Sequence, residues 1–128
     1  DRADEHHALR GKELAGDLEA AEQHLLAALE LNPDHPVVHN ELGIIYRKTG
    51  RFAEARRSYE AALTIYPGYH HARRNLGVLC DLYLADPECA LASYEAYLER
   101  YPEEEARLER RMGELQQHIY WCRKSMSA

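Results

Sequence analysis

Eight histidines and three cysteines carry most of the metal and redox chemistry this chain could do. His6-His7 and His70-His71 are adjacent pairs, and neighbours on a helix point about 100° apart, so neither pair converges on one ion. His35 and His39 have the converging i, i+4 spacing, but His35 precedes Pro36 at a helix edge and the pattern offers no third ligand. Solvated histidines are expected, with no metal and no other cofactor. Cys80, Cys89 and Cys122 show no metal-ligand spacing. Cys89 falls near a helix start, where a thiolate is favoured. A Cys80–Cys89 disulfide within one hairpin is the lesser alternative to free thiols, and the odd count leaves the redox compartment open.

No nucleophile elbow, phosphate loop or zinc-protease motif occurs, and the glycines are scattered at turn and packing positions. The carboxylates sit beside basic residues on amphipathic helices, as Glu103 does with Arg107 at i, i+4. The chain reads as no enzyme. A net charge of -6 and a pI near 5.7 argue against nucleic acid as the principal ligand, since phosphate neutralisation needs a basic face. No apolar run approaches the roughly 18 residues of a membrane span, and no signal peptide is visible, so no direct membrane insertion is expected. Cytoplasm and periplasm both stay open. The chain starts at Asp1 rather than Met, which leads us to expect a removed upstream segment able to hold a signal, a lipid anchor or further repeats.

Whatever chemistry there is must be positioned by elements that repeat. Residues 49–67 superimpose without a gap on residues 15–33, a shift of 34, and on residues 84–102, a shift of 35. That period, with a small-residue turn before each segment and Pro33, Pro67 and Pro102 closing them, is the length of one helical hairpin. Ala21, Ala55 and Ala90 are each followed four residues later by Leu25, Tyr59 and Tyr94, setting a small and a large residue on one helical face. Leu42-Gly43 and Leu76-Gly77 recur 34 apart inside helices. Gly costs about 1 kcal/mol there relative to Ala, which points to close backbone contact.

Helices are expected at about 3–14, 18–31, 36–48, 52–65, 70–83, 87–100 and 103–124. Asp34 and Asp86 are the expected caps before Pro36 and Pro87, and Gly50 the left-handed stop after Thr49. The last helix has no partner in the repeat. Leu108, Met112, Leu115, Ile119 and Cys122 form one stripe on it, as a polar-backed cap over the third hairpin would need. Composition fits one domain, residues 1–128, with no strand-like alternation.

The Leu-Gly pair, Tyr46 three residues after Gly43, the run Ala55, Tyr59, Ala62 and the closing Pro67 resemble the tetratricopeptide repeat family. The resemblance implies an all-α, right-handed solenoid of three helix-turn-helix units, at about 2–35, 36–69 and 70–102, plus a capping helix at 103–124. The second unit matches nearly throughout. The third departs at Cys80, which replaces an aromatic and reads with Cys122 as a buried small hydrophobe; at one residue inserted near Ala85 and Asp86; and at Tyr97. The first unit matches in its second helix only, with Ala8-Leu9 and Lys12 where Leu-Gly and an aromatic are expected.

The resemblance further implies that first helices line a concave groove for another protein or peptide. In the second unit the lining would be Asn40, Glu41, Ile44, Arg47 and Lys48. In the third it would be His71, Arg74, Asn75, Val78 and Asp81. This face is more basic than the chain as a whole, suiting an extended peptide with acidic groups or a free carboxylate. The Lys and Asn spacing by which some chaperone-binding members hold a terminal carboxylate is lacking in the first unit. Tyr120 and Trp121 fall off the stripe of the cap helix and form a second contact candidate. They could dock a following domain or an identical subunit, though folding back on the third hairpin is the expectation. The function expected is a non-catalytic scaffold or adaptor. Its short-looped, alanine-rich repeats look like those of bacterial multiprotein assemblies. The alternatives are a homo-oligomer built through the C-terminal helix and a regulatory domain of a larger enzyme.

Overall fold

Proline and left-handed residues divide the chain into its elements. The computed structural model describes the backbone of residues 2–127 and the side chains of residues 16–126. Among the described residues six helices follow one another: α1 (Arg2–Leu31), α2 (Pro36–Lys48), α3 (Phe52–Ile65), α4 (His70–Leu82), α5 (Pro87–Arg100) and α6 (Glu105–Ser127), the last preceded by a 3-10 turn, Pro102–Glu104. Among the described residues there is no strand. Pro36 and Pro87 open α2 and α5, where the absent N–H forfeits no helical hydrogen bond. Asp86 caps α5 by accepting the N–H of Cys89 at 3.1 Å. Asp34 does not cap α2. Its N-cap is His35, which makes no side-chain cap bond, because Asp34 stands one residue too far upstream.

The turn of the second hairpin closes on Gly50 at φ +78°, and that of the third on Ala85 at φ +49°. The extra residue of the third unit is thus absorbed in a left-handed turn, and α5 starts in register. Between residues 14 and 18 the expected break is absent, since α1 runs unbroken through Gly16. A glycine weakens a helix by about 1 kcal/mol but does not stop it unless the backbone turns left-handed. The first-unit positions Ala8, Leu9 and Lys12, and His6-His7, lie outside the described side chains.

Each helix packs on the next, and α2 also meets α4, which makes a helical solenoid. Tyr59 has no exposed surface and Tyr94 only 5%. A Cβ added to Gly43 would stand 2.4 Å from Cε1 of Tyr59, and one added to Gly77 2.9 Å from Cε1 of Tyr94. The close contact at both glycines is therefore with a tyrosine ring rather than with another backbone. Leu42, Leu76, Leu79, Ala55, Ala62 and Ala90 complete the buried layer around these rings.

Cys80 and Cys89 are joined, their Cα atoms 5.9 Å apart. They are not free thiols. Cys80 lies in the last turns of α4 and Cys89 in the first turn of α5, so the hairpin folds one over the other. Their bond occupies the place that Tyr46 takes in the unit before.

Two ion pairs cross between successive units at equivalent positions. Arg51, the N-cap of α3, pairs with Glu22 of α1, and Asp86, the N-cap of α5, pairs with Arg56 of α3 at 3.0 Å. The charges are exchanged from one junction to the next. Finally, α6 lays Leu108, Met112, Leu115 and Ile119 against the preceding hairpin, with Leu115 and Ile119 buried. Cys122, expected on this buried stripe, is exposed. At 23 residues, α6 is longer than the 14 of α5, and its contact with α5 ends near Arg123, which reaches Glu88 in the first turn of α5 at 3.2 Å.

Candidate functional site

Helices α2 and α4 carry the ten residues expected to line a groove, and the structure sorts them into four kinds. Asn40 and Asn75 form a bridge between the helices: Asn75 Nδ2 donates to Asn40 Oδ1 at 3.0 Å, and Asn40 Nδ2 donates to the Tyr69 hydroxyl at 3.5 Å. Asn40 is buried and Asn75 half-buried. Ile44 and Val78 are half-buried and pack on the core. Glu41, Lys48, His71 and Arg74 are exposed, and Arg47 is half-buried.

Arg47 and Asp81 occupy equivalent places 34 residues apart and meet the repeated tyrosine in opposite ways. Burial pushes the Tyr59 hydroxyl up, with the Arg47 guanidinium pulling the other way. Burial also raises the Tyr94 hydroxyl, and here Asp81 adds to the rise by accepting its hydrogen at 2.9 Å. Asp81 is not open to a ligand as expected. Its side chain is 4% exposed, because Arg111 of α6 covers it through Nε, at 3.0 and 3.1 Å from the two carboxylate oxygens.

A pocket of about 80 Å³ opens where α4, α5 and α6 meet, lined by Arg74, Val78, Tyr94, Tyr97, Glu104, Arg107 and Leu108. It pairs two guanidinium groups with an apolar and aromatic floor. Glu104, hydrogen-bonded to the Tyr97 hydroxyl, is the first cause of that hydroxyl's raised pKa, with burial second. Arg107 and Arg111 were not among the expected lining. Met112-Gly113 repeats the Leu-Gly pair 36 residues after Leu76-Gly77, and that signal identifies α6 as a first helix whose lining would include them.

Most of the remaining chemical candidates are engaged within the chain, whereas His35 Nδ1 is buried without a hydrogen-bond partner. His39 Nε2 bonds the carbonyl oxygen of Pro33 at 2.8 Å. The rings of His70 and His71 lie 4.1 Å apart, and His70 also meets Tyr101 edge-on. Cys80, Asp86 and Cys89 come together within 4.8 Å. The two sulfurs are bonded to each other, and the Asp86 carboxylate is engaged by Cys89 N–H and Arg56. Tyr120 and Trp121 do not fold back on the third hairpin. Each is 56% exposed, and they stack edge-to-face on one another, 5.5 Å between centroids.

The tetratricopeptide repeat pattern matches residues 15–70, a span that holds Gly43, Tyr46, Ala55, Tyr59 and Pro67. Over these residues the chain carries the tetratricopeptide repeat pattern. The crystal structure of a MamA protein is similar, with a TM-score of 0.61 and 26% identity, covering 75% of this chain and 51% of that one. A protein O-mannosyl-transferase of Caenorhabditis elegans is 37% identical over 57 residues, 44% of this chain and 8% of that protein. A peroxisomal targeting signal receptor of Candida albicans is 41% identical over 54 residues, 42% of this chain and 9% of that protein. The chain therefore spans about half of the solved structure and under a tenth of the curated relatives. A tetratricopeptide repeat fold is that of a protein-interaction scaffold. Among the described residues no helix is long and apolar enough to cross a membrane.

Proposed function

We propose that this chain is a non-catalytic adaptor that binds an extended, acidic segment of another protein along the face formed by α2, α4 and α6. The observation that carries the reading is the pocket between Arg74 and Arg107, floored by Val78, Tyr94, Tyr97 and Leu108. In it Glu104 is engaged by the Tyr97 hydroxyl and by Arg107 at 3.7 Å, so that an acidic ligand would compete with it for Arg107. An acidic side chain or terminal carboxylate would meet two guanidinium groups there while its apolar neighbour rests on the aromatic floor. Arg47 and Lys48 at the end of α2 extend the cationic row. Glu41, Ile44, His71, Asn75 and Val78 would then contact ligand backbone and side chains, while Asn40 holds Asn75 in place. The whole of residues 1–128 acts as one binding domain in this reading, with repeats at 2–35, 36–69 and 70–102.

The test is selection from a displayed peptide library, followed by titration of the selected peptide. Enrichment of Asp, Glu or C-terminal carboxylates is expected. Affinity should fall as salt rises, since exposed charges are screened beyond roughly 8–10 Å near physiological ionic strength. Arg47→Glu with Arg74→Glu should abolish binding, and Trp121→Ala should leave it intact. Binding lost with Trp121→Ala and unaffected by the double reversal would overturn the reading.

A further inference from the structure

The notch that a tyrosine fills at Gly43 and again at Gly77 is empty at Gly113. Met112-Gly113 stands in α6 as Leu42-Gly43 stands in α2 and Leu76-Gly77 in α4. A Cβ on either of the first two glycines would collide with the ring of Tyr59 or Tyr94, whereas one on Gly113 would meet nothing within 4 Å. Seven residues further on, two turns along the same face, Tyr120 projects with 56% of its surface exposed. One face of α6 thus carries both an unfilled notch and an unburied aromatic of the kind that fills such notches in the rest of the molecule.

We propose that this face is a self-association surface. Two copies of the chain pair through α6 in antiparallel sense, the Tyr120 ring of each seated over Gly113 of the other. A twofold axis between residues 116 and 117 satisfies both notches at once. It also brings Glu109 opposite Lys124 of the other copy, whose ammonium lies over its own Tyr120 ring and donates to that hydroxyl at 3.4 Å, and Gln116 opposite Gln117. Arg110 and Arg123, which fall opposite each other, are each paired within their own chain, with Glu114 and Glu88. A parallel pairing would set glycine on glycine and Lys124 on Lys124, leaving both notches empty. Trp121, stacked on Tyr120, flanks the seat and shields it from water. The dimer presents two binding faces, so a partner with two acidic segments would be held by avidity. That consequence rests on the function proposed above, whereas the dimer and its test do not.

Sedimentation equilibrium of the chain in a Cys122→Ser background, up to about 1 mM, is the test. Reversible monomer–dimer behaviour is expected, with Gly113→Leu and Tyr120→Ala each weakening the dimer about tenfold or more while helicity is kept. Lys124→Glu should weaken it too, and Glu109→Lys added to Lys124→Glu should restore it, a result specific to the antiparallel register. A chain monomeric throughout, or a dimer indifferent to Gly113→Leu and Tyr120→Ala, would overturn the proposal. Failure of the double charge swap to restore association would overturn the register and with it the seating of Tyr120.

Discussion

Tyr94 donates its hydroxyl hydrogen to Asp81 at 2.9 Å, and Asp81 is closed off on its outer side by Arg111. One carboxylate thereby ties together α4, α5 and α6. Removing Arg111 opens Asp81 to water and takes away its charged partner, so Arg111→Ala should cost about 1 kcal/mol in urea unfolding. Asp81→Asn should cost less, because an amide oxygen still accepts from Tyr94 and carries no charge.

The three first-helix glycines should respond to alanine with opposite signs. At Gly43 and Gly77 a methyl group collides with a tyrosine ring, and overpacking of this kind costs about 1–3 kcal/mol. At Gly113 nothing is in the way, so Gly113→Ala should stabilise the monomer by up to about 1 kcal/mol through helix propensity. Thermal unfolding of the three variants at low concentration checks the ordering.

Reduction should selectively weaken the third hairpin. Opening Cys80–Cys89, a loop of sequence separation 9, removes about 2–3 kcal/mol on the chain-entropy account. Cys89 is half-buried while Cys80 has no exposed surface, so a thiol reductant should form its mixed disulfide at Cys89. Denaturant unfolding with and without reductant, and mass mapping of the trapped adduct, test both statements.

Acid should weaken the junctions between units. The Cys89 N–H, above all, holds the Asp86 carboxyl below its ordinary value against the opposing effect of burial, and Arg56 helps. The Arg51 hydrogen bond does the same for Glu22. Both folded pKa values are depressed, so their contribution is complete above the ordinary carboxylate range, about pH 4, and is lost as pH falls through the lower folded values. Asp86→Asn, which keeps a capping side chain, should flatten the acid limb of stability against pH. An unchanged limb would show the carboxylate to be irrelevant there.

Local chemistry made much of the fold legible before any coordinates. Proline at the starts of α2 and α5, Gly50 at a left-handed stop and Asp86 as a cap each follow from one residue's backbone demands. The tyrosines at 59 and 94 follow from periodicity. The unbroken α1 was hidden because Gly16 favours a turn without compelling one. The disulfide was legible only as the lesser alternative, because a nine-residue separation places two sulfurs together only once the hairpin angle is known. The proposed lining could be read from the sequence on α2 and α4, where Leu-Gly marks the first helix. It was obscured on α6, where Met replaces Leu, the spacing drifts to 36 and no second helix follows, so Arg107 and Arg111 went unassigned.

The exchanged ion pairs between units give the repeats an order. Glu22 meets Arg51, and Arg56 meets Asp86. Were the second unit stacked upon a copy of itself, Arg56 would face Arg51; were it skipped, Glu22 would face Asp86. Near-identical neighbours are the segments most prone to mispair or swap during folding, and like charges at the junction penalise both errors. The alternation works as an address system, in which each hairpin accepts one predecessor and one successor although all are built to the same plan.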